Sequence, residues 1–200
     1  MELFFVTGVK ILVLLNPCAV LTTYLALTAR ATPPERRRVI LLFAAAVATA
    51  GTLLFFGGGI LFRLLGIDLD VFRVGGGVIL LICAVSMVWG GAGAESRRET
   101  AAEGNISVVP LAIPMAVGPG TSAGLIVIGM ESAAWELRCI NLAAFLLAAA
   151  VLALLLAAGE RAGRLLGRQG MAVLGKLTGL FLSAIAAKMI LDGVRGALFS

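Results

Sequence analysis

The chain has 200 residues, 60% of them apolar and 14% charged, with a net charge of +5 and no histidine; its mean hydropathy is +1.08. This composition lies far outside that of soluble domains and specifies an all-α, multi-pass membrane protein, with room for about six helices of roughly 20 residues and none for a soluble domain. Without histidine, imidazole metal ligands, serine-histidine catalysis and the commonest proton relay are excluded, so the chain is expected to be neither an enzyme nor a holder of a metal or cofactor.

The basic residues stand at the ends of apolar segments rather than in an aromatic-rich patch, which argues against a nucleic-acid partner and for a role in orientation. Cys18, Cys83 and Cys139 are odd in number and form no CxxC pair, so neither a disulfide framework nor a zinc site is indicated. The opening run MELFFVTGVKILVLL lacks a basic n-region and is read as a retained first span.

Six apolar segments follow in order: Leu3 to Thr28, Val39 to Phe62, Val71 to Trp89, Ile106 to Met130, Leu137 to Ala158, and Met171 to Val194. The first has 26 residues, about 39 Å as a continuous helix, more than the hydrocarbon core requires. Asn16-Pro17 interrupts it. Pro17 has no amide hydrogen, so the Val13 carbonyl is expected to lose its helical partner and to need another donor at mid-membrane. The same dipeptide reads as a helix start, with asparagine as N-cap and proline at the first helical position. Cys18, Ala19, Thr22 and Thr23 follow it, while Lys10 lies about two turns from the N-terminus and reads as snorkelling or as a gating residue.

Glycines 57 to 59 in the second span and 75 to 77 in the third, with Gly120, Gly124, Gly175 and Gly179 later, include small-xxx-small spacings that allow close helix contact inside the chain or in a homodimer. The fourth span carries a second interruption, with Gly118 as cap, Pro119 at the first helical position, Gly120 next, and hydroxyls from Thr121 and Ser122 in the first turn. Pro110 and Pro114 precede it and disrupt the regular helix before Gly118. In the last span, Lys188 and Asp192 are four residues apart, hence on one face and able to pair. They are candidates for coupling or gating, or for snorkelling to the nearby interface.

Arg30, Arg36 to Arg38, Arg97, Arg98, Arg161, Arg164, Arg168 and Lys176 fall in or beside alternate loops, against Arg63, Arg73, Arg138 and Arg195 on the other side. Positive-inside bias then places both termini outside the cytoplasm, in a cell (inner) membrane.

The stretch around Asn16-Pro17 superposes on that around Gly118-Pro119 at an offset of 102, and RVGGGVILLICAVSMVWGG from Arg73 superposes on KLTGLFLSAIAAKMILDGV from Lys176 at 103. Three spans per half is an odd number, so the second half enters from the opposite side. The expected architecture is a single membrane domain, residues 1–200, built as a 3+3 inverted repeat (about 1–94 and 105–200) with the first and fourth helices broken.

At each break, amides of one half-helix and carbonyls of the other present partial charges of opposite sign. No fixed ion stands among Asn16, Pro17, Cys18, Ala19, Gly118, Pro119, Gly120, Thr121 and Ser122, the expected binding residues. A small solute without net charge suits such a site, since an unpaired ion at mid-membrane costs several kcal/mol. Small neutral amino acids fit that description.

NPCAVLTTYLALT, PLAIPMAVGPGTSAGL and LTGLFLSAIAAKMILDG resemble the three signature segments of the MarC family of membrane proteins, over nearly the whole chain. The family looks related to the LysE superfamily of exporters, and the resemblance implies a SnatA-like transporter of small neutral amino acids. The chain departs from the family pattern after Asn16-Pro17, where Ala19, Val20 and Thr22 replace the usual glycine, asparagine and proline.

The leading expectation is a secondary transporter or exporter of the glycine, alanine, serine and threonine class, working by alternating access with a proton or sodium as coupling ion. An alternative is a thiol-disulfide electron carrier of the CcdA type, because Asn16-Pro17-Cys18 resembles its Ser-Pro-Cys segment; that chemistry needs a second cysteine within reach. A non-transporting scaffold or sensor is the third reading.

Overall fold

The computed structural model describes residues 2–28, 31–89 and 116–199, and every regular element among them is helical. Helix α1 (Glu2–Leu14) leads into α2 (Pro17–Leu27), followed by α3 (Pro33–Leu65), α4 (Leu69–Trp89), α5 (Pro119–Glu131), α6 (Trp135–Ala157) and α7 (Gly159–Phe199). Four of these contain a stretch long and apolar enough to cross a bilayer: Pro33–Ile60, Leu69–Trp89, Trp135–Ala157 and Ala172–Leu198. The α1–α2 pair, bent by 45° at its break, supplies a fifth, and α5 contributes a shorter apolar helix. The first part of the expected fourth span, with Pro110 and Pro114, lies outside the described residues, as do Arg30, Arg97 and Arg98.

The second span begins earlier than hydropathy indicates, at Pro33 rather than Val39. Local chemistry sets that start. The Glu35 carboxylate accepts from the Thr32 amide at 2.7 Å and the Thr32 hydroxyl at 2.9 Å, and prolines occupy the first helical positions. Gly66, with φ of 63°, ends the helix in the left-handed conformation that glycine adopts without penalty. Helix α7 is not continuous either: Gly167 is non-helical (φ 59°, ψ −178°) and separates residues 159–166 from the apolar span.

Lipid tails are as apolar as leucine, so the helices associate by shape rather than by exclusion of water. The main core joins Ile11 and Leu15 of the α1 side to Val20, Leu21 and Tyr24 of α2, Phe43 and Val47 of α3, Leu125 of α5, and Phe145 and Leu152 of α6. A second cluster joins Leu14 to Leu80 and Ala84 of α4 and to Leu182 and Ala186 of α7. Outward faces remain apolar, as with Leu53, Ile82, Leu154 and Leu191, as a lipid-facing surface requires.

Helices α4 and α7 lie together along most of their length. A methyl group at Gly77 would stand 2.6 Å from Ile190 and 3.1 Å from the Ala186 carbonyl; at Gly179, 3.0 Å from the Ala84 carbonyl; at Gly193, 2.6 Å from the Asp70 carbonyl. Here backbone meets backbone, as the small-residue spacings predict. The same spacings include Gly57, Gly75 and Gly175, which face open space; glycine spacing marks where contact is permitted, and the rotation of each helix decides which positions use it.

Candidate functional site

Asn16 caps α2 from a left-handed backbone conformation, φ 52° and ψ 64°, and it is the one non-glycine residue with positive φ among those described. Its short amide side chain tolerates that region and compensates for it: Oδ1 accepts from the Ala19 amide at 3.2 Å, satisfying one of the free donors at the helix start. Pro17 follows at the first helical position. Gly118, in extended conformation (φ −71°, ψ 176°), caps α5 with Pro119 next. Both expected caps are present.

The Val13 carbonyl, without an i+4 amide at Pro17, finds another donor. The Val13 carbonyl accepts from the Asn16 amide at 3.0 Å, because the chain tightens into a three-residue turn before the proline. Another carbonyl freed at the break, that of Leu14, the last residue of α1, is met by the Thr121 hydroxyl at 2.8 Å, deep in the protein. Residues 107 apart thus join the two breaks. Gly120 faces Leu80 and Gly124 faces Leu14, so the start of α5 passes close to both α4 and α1. Ala19, Gly120 and Thr121 are buried, and Asn16, Pro17, Cys18, Gly118 and Ser122 half-buried.

Two further residues enter the site from helices that hydropathy shows only as apolar spans. The Asn16 Nδ2 donates to the Met87 sulfur at 3.1 Å, a weak acceptor. Cys18 Sγ lies 3.8 Å from Thr178 Oγ1. The Thr178 hydroxyl already donates to the Leu174 carbonyl at 2.8 Å, so the thiol is the donor in that contact. Repeat spacing does not indicate Met87 or Thr178; the only prior hint is that Thr178 is a hydroxyl inside an apolar span. All three cysteines are free, and the group facing Cys18 is a threonine.

Hydroxyls of the first helical turns serve the backbone. Ser122 Oγ donates to the Val117 carbonyl at 3.3 Å, and Thr22 Oγ1 to the Cys18 and Ala19 carbonyls at 3.0 and 2.9 Å. No charged side chain stands among the described residues at either break.

Lys10, Lys188 and Asp192 are all exposed, on outward faces rather than at the breaks. Lys188 and Asp192 share a helix face, yet among the described residues the inter-residue ion pairs centre on Arg73 instead. Arg73 Nη1 contacts Asp70 in its own helix and Nη2 contacts Glu131 at the end of α5. Nothing in the sequence announces this pairing of Glu131 with a partner 58 residues away.

Residues 1–198 match the MarC family of integral membrane proteins. The chain belongs to that family. This MarC protein is 35% identical over 142 residues to a UPF0056 membrane protein of Methanocaldococcus jannaschii, covering 69% of each chain. It is 29% identical over 205 residues to the UPF0056 membrane protein YhcE of Escherichia coli, covering 96% of this chain and 92% of that one. A UPF0056 membrane protein of Aquifex aeolicus is 29% identical over 144 residues, 70% of this chain and 67% of its own. No solved structure matches the MarC chain.

Proposed function

We propose that this MarC-family protein is a secondary transporter or exporter of small neutral amino acids, of the glycine, alanine, serine and threonine class, and that it has no enzymatic activity. The observation that carries the reading is the Leu14 carbonyl to Thr121 hydroxyl bond, which brings two capped, proline-started half-helices together at a place without fixed charge. Helix starts offer partial positive charge and helix ends partial negative charge. A zwitterion without net side-chain charge meets both.

Alternating access follows from reading the chain as a 3+3 inverted repeat in which α3 corresponds to α6 and α4 to α7. A two-fold relation of that kind pairs α3 with α6 and α4 with α7, and exchanges the α4–α5 contact with the α7–α2 contact. All four contacts are present. In this reading the inner membrane holds the protein with both termini outside the cytoplasm, and a proton or sodium gradient drives the solute.

The test is uptake of labelled glycine, alanine, serine and threonine into proteoliposomes, with proton and sodium gradients imposed separately. Saturable flux of at least one solute, dependent on one gradient, is the expected result. Flux no greater than in protein-free liposomes for all four overturns the proposal.

A further inference from the structure

The ion pair between Arg73 and Glu131 joins α4 to the end of α5, helices of different halves in the repeat reading. Helices α4 and α5 run antiparallel: Leu80 faces Gly120 at the break, Ala123 faces Gly76, and Val127 lies with Leu69 and Phe72 farther on. Arg73 and Glu131 close the far end of this seam. Eleven residues separate Gly120 from Glu131, about 16 Å along α5. The latch therefore stands one half-membrane away from the breaks, at the end of the bundle that carries the α3–α4 and α5–α6 connections.

Three details distinguish it from an ordinary surface pair. Arg73 is held in place independently of Glu131, through Asp70 one turn earlier; both lie against Gly193 of α7, and Asp70 also against Gly196, where any side chain would collide with them. The Glu131 side chain is 49% exposed against 18% for Arg73, so the carboxylate is the member free to swing away. Finally, Lys176, which aligns with Arg73 in the repeat, is exposed and among the described residues joins no carboxylate.

We propose that Arg73 and Glu131 form a gate that shuts the route to the breaks from this end, with Asp70 holding the arginine ready while the gate is open. The inference rests on the transport reading above, and adds to it which end is closed and by what. Release of Glu131 parts the α4–α5 seam; α4 and α7 remain joined through their glycines.

Cys18 reports on the gate because it lies at the break. In a Cys83→Ser, Cys139→Ser background, protein in sealed vesicles is treated with a membrane-impermeant maleimide on one side at a time, and Cys18 alkylation is followed by peptide mass spectrometry. Ala133→Cys, in the exposed connection after Glu131, marks the latch side in a parallel sample. Expected is a rise of about fivefold in the latch-side alkylation rate with Glu131→Gln, the population shift that loss of one partly exposed ion pair allows. Glu131→Asp, which keeps the charge, should recover most of the protection, and Asp70→Asn, whose pair lies within one helix, should stay within twofold of the parent. A Glu131→Gln rate equal to the parent's, or an Asp70→Asn rise as large as that of Glu131→Gln, overturns the gate. Absence of amino-acid flux in the parent protein would instead remove the transport reading, and the alkylation rates would still show whether the seam opens.

Discussion

Replacing Thr121 with valine tests whether the two breaks depend on each other. Valine keeps the β-branch, so little volume changes, but the Leu14 carbonyl loses the donor that now stands 2.8 Å away. Thr121 and Leu14 are each only 4% exposed, so water has no ready access to replace it. A buried acceptor left unmet costs roughly 1–3 kcal/mol, whereas hydrogen bonds between membrane helices average about 0.6 and reach about 1.7 kcal/mol. The two ranges overlap near 1–2 kcal/mol, which is a factor of about 5–30 in the folded-to-unfolded ratio. Thr121→Ser retains the hydroxyl and removes one methyl group, worth about 0.8 kcal/mol. Reversible unfolding in mixed micelles with increasing dodecyl sulfate, followed by far-ultraviolet circular dichroism, should order the proteins as parent, then serine, then valine. If valine unfolds with the parent, or serine is the weaker of the two variants, the bond does not hold the breaks together.

Other substitutions probe the remaining features. A side chain at Gly129 would overlap the Phe55 carbonyl, whereas Gly57, on the same pair of packed helices, faces open space; Gly129→Ala should destabilise by about 1–3 kcal/mol and Gly57→Ala should be neutral or stabilise by up to about 1 kcal/mol, both read by the same unfolding titration. Asn16→Gly accepts the left-handed backbone and loses only the cap, while Asn16→Ala loses the cap and adds strain of about 1 kcal/mol or more. Alanine should therefore unfold at the lower dodecyl sulfate fraction, and both should carry less amino-acid flux than the parent. Lys188→Met and Asp192→Asn remove exposed charges that do not reach the breaks, so flux in proteoliposomes should stay within about twofold; a tenfold loss would restore them as coupling residues.

Much of this architecture is legible in the chain because proline and its cap act locally. Asn16-Pro17 and Gly118-Pro119 start helices where their own backbone preferences say they must. What they leave open is how the preceding chain ends. The Val13 carbonyl is met through a single tightened turn, whereas the Leu14 carbonyl's partner, Thr121, is 107 residues on. Charge is legible in amount and not in pairing: Lys188 and Asp192 have the right spacing to meet and do not, while Arg73 finds Glu131 through the α4–α5 packing. Hydropathy likewise cannot see Met87 and Thr178, whose rotation toward the break is set by the glycine contacts of α4 and α7.

Those glycine contacts also restrict how the molecule can deform. Where two backbones touch through Gly77, Gly179 and Gly193, a slide of even one residue would drive side chains into carbonyls at several levels at once, and separation would open a void along the whole interface. The α4–α7 seam therefore behaves as a rigid spine. Helix α5 packs on it from the α4 side and α2 from the α7 side, so both helix starts ride on a part that does not yield.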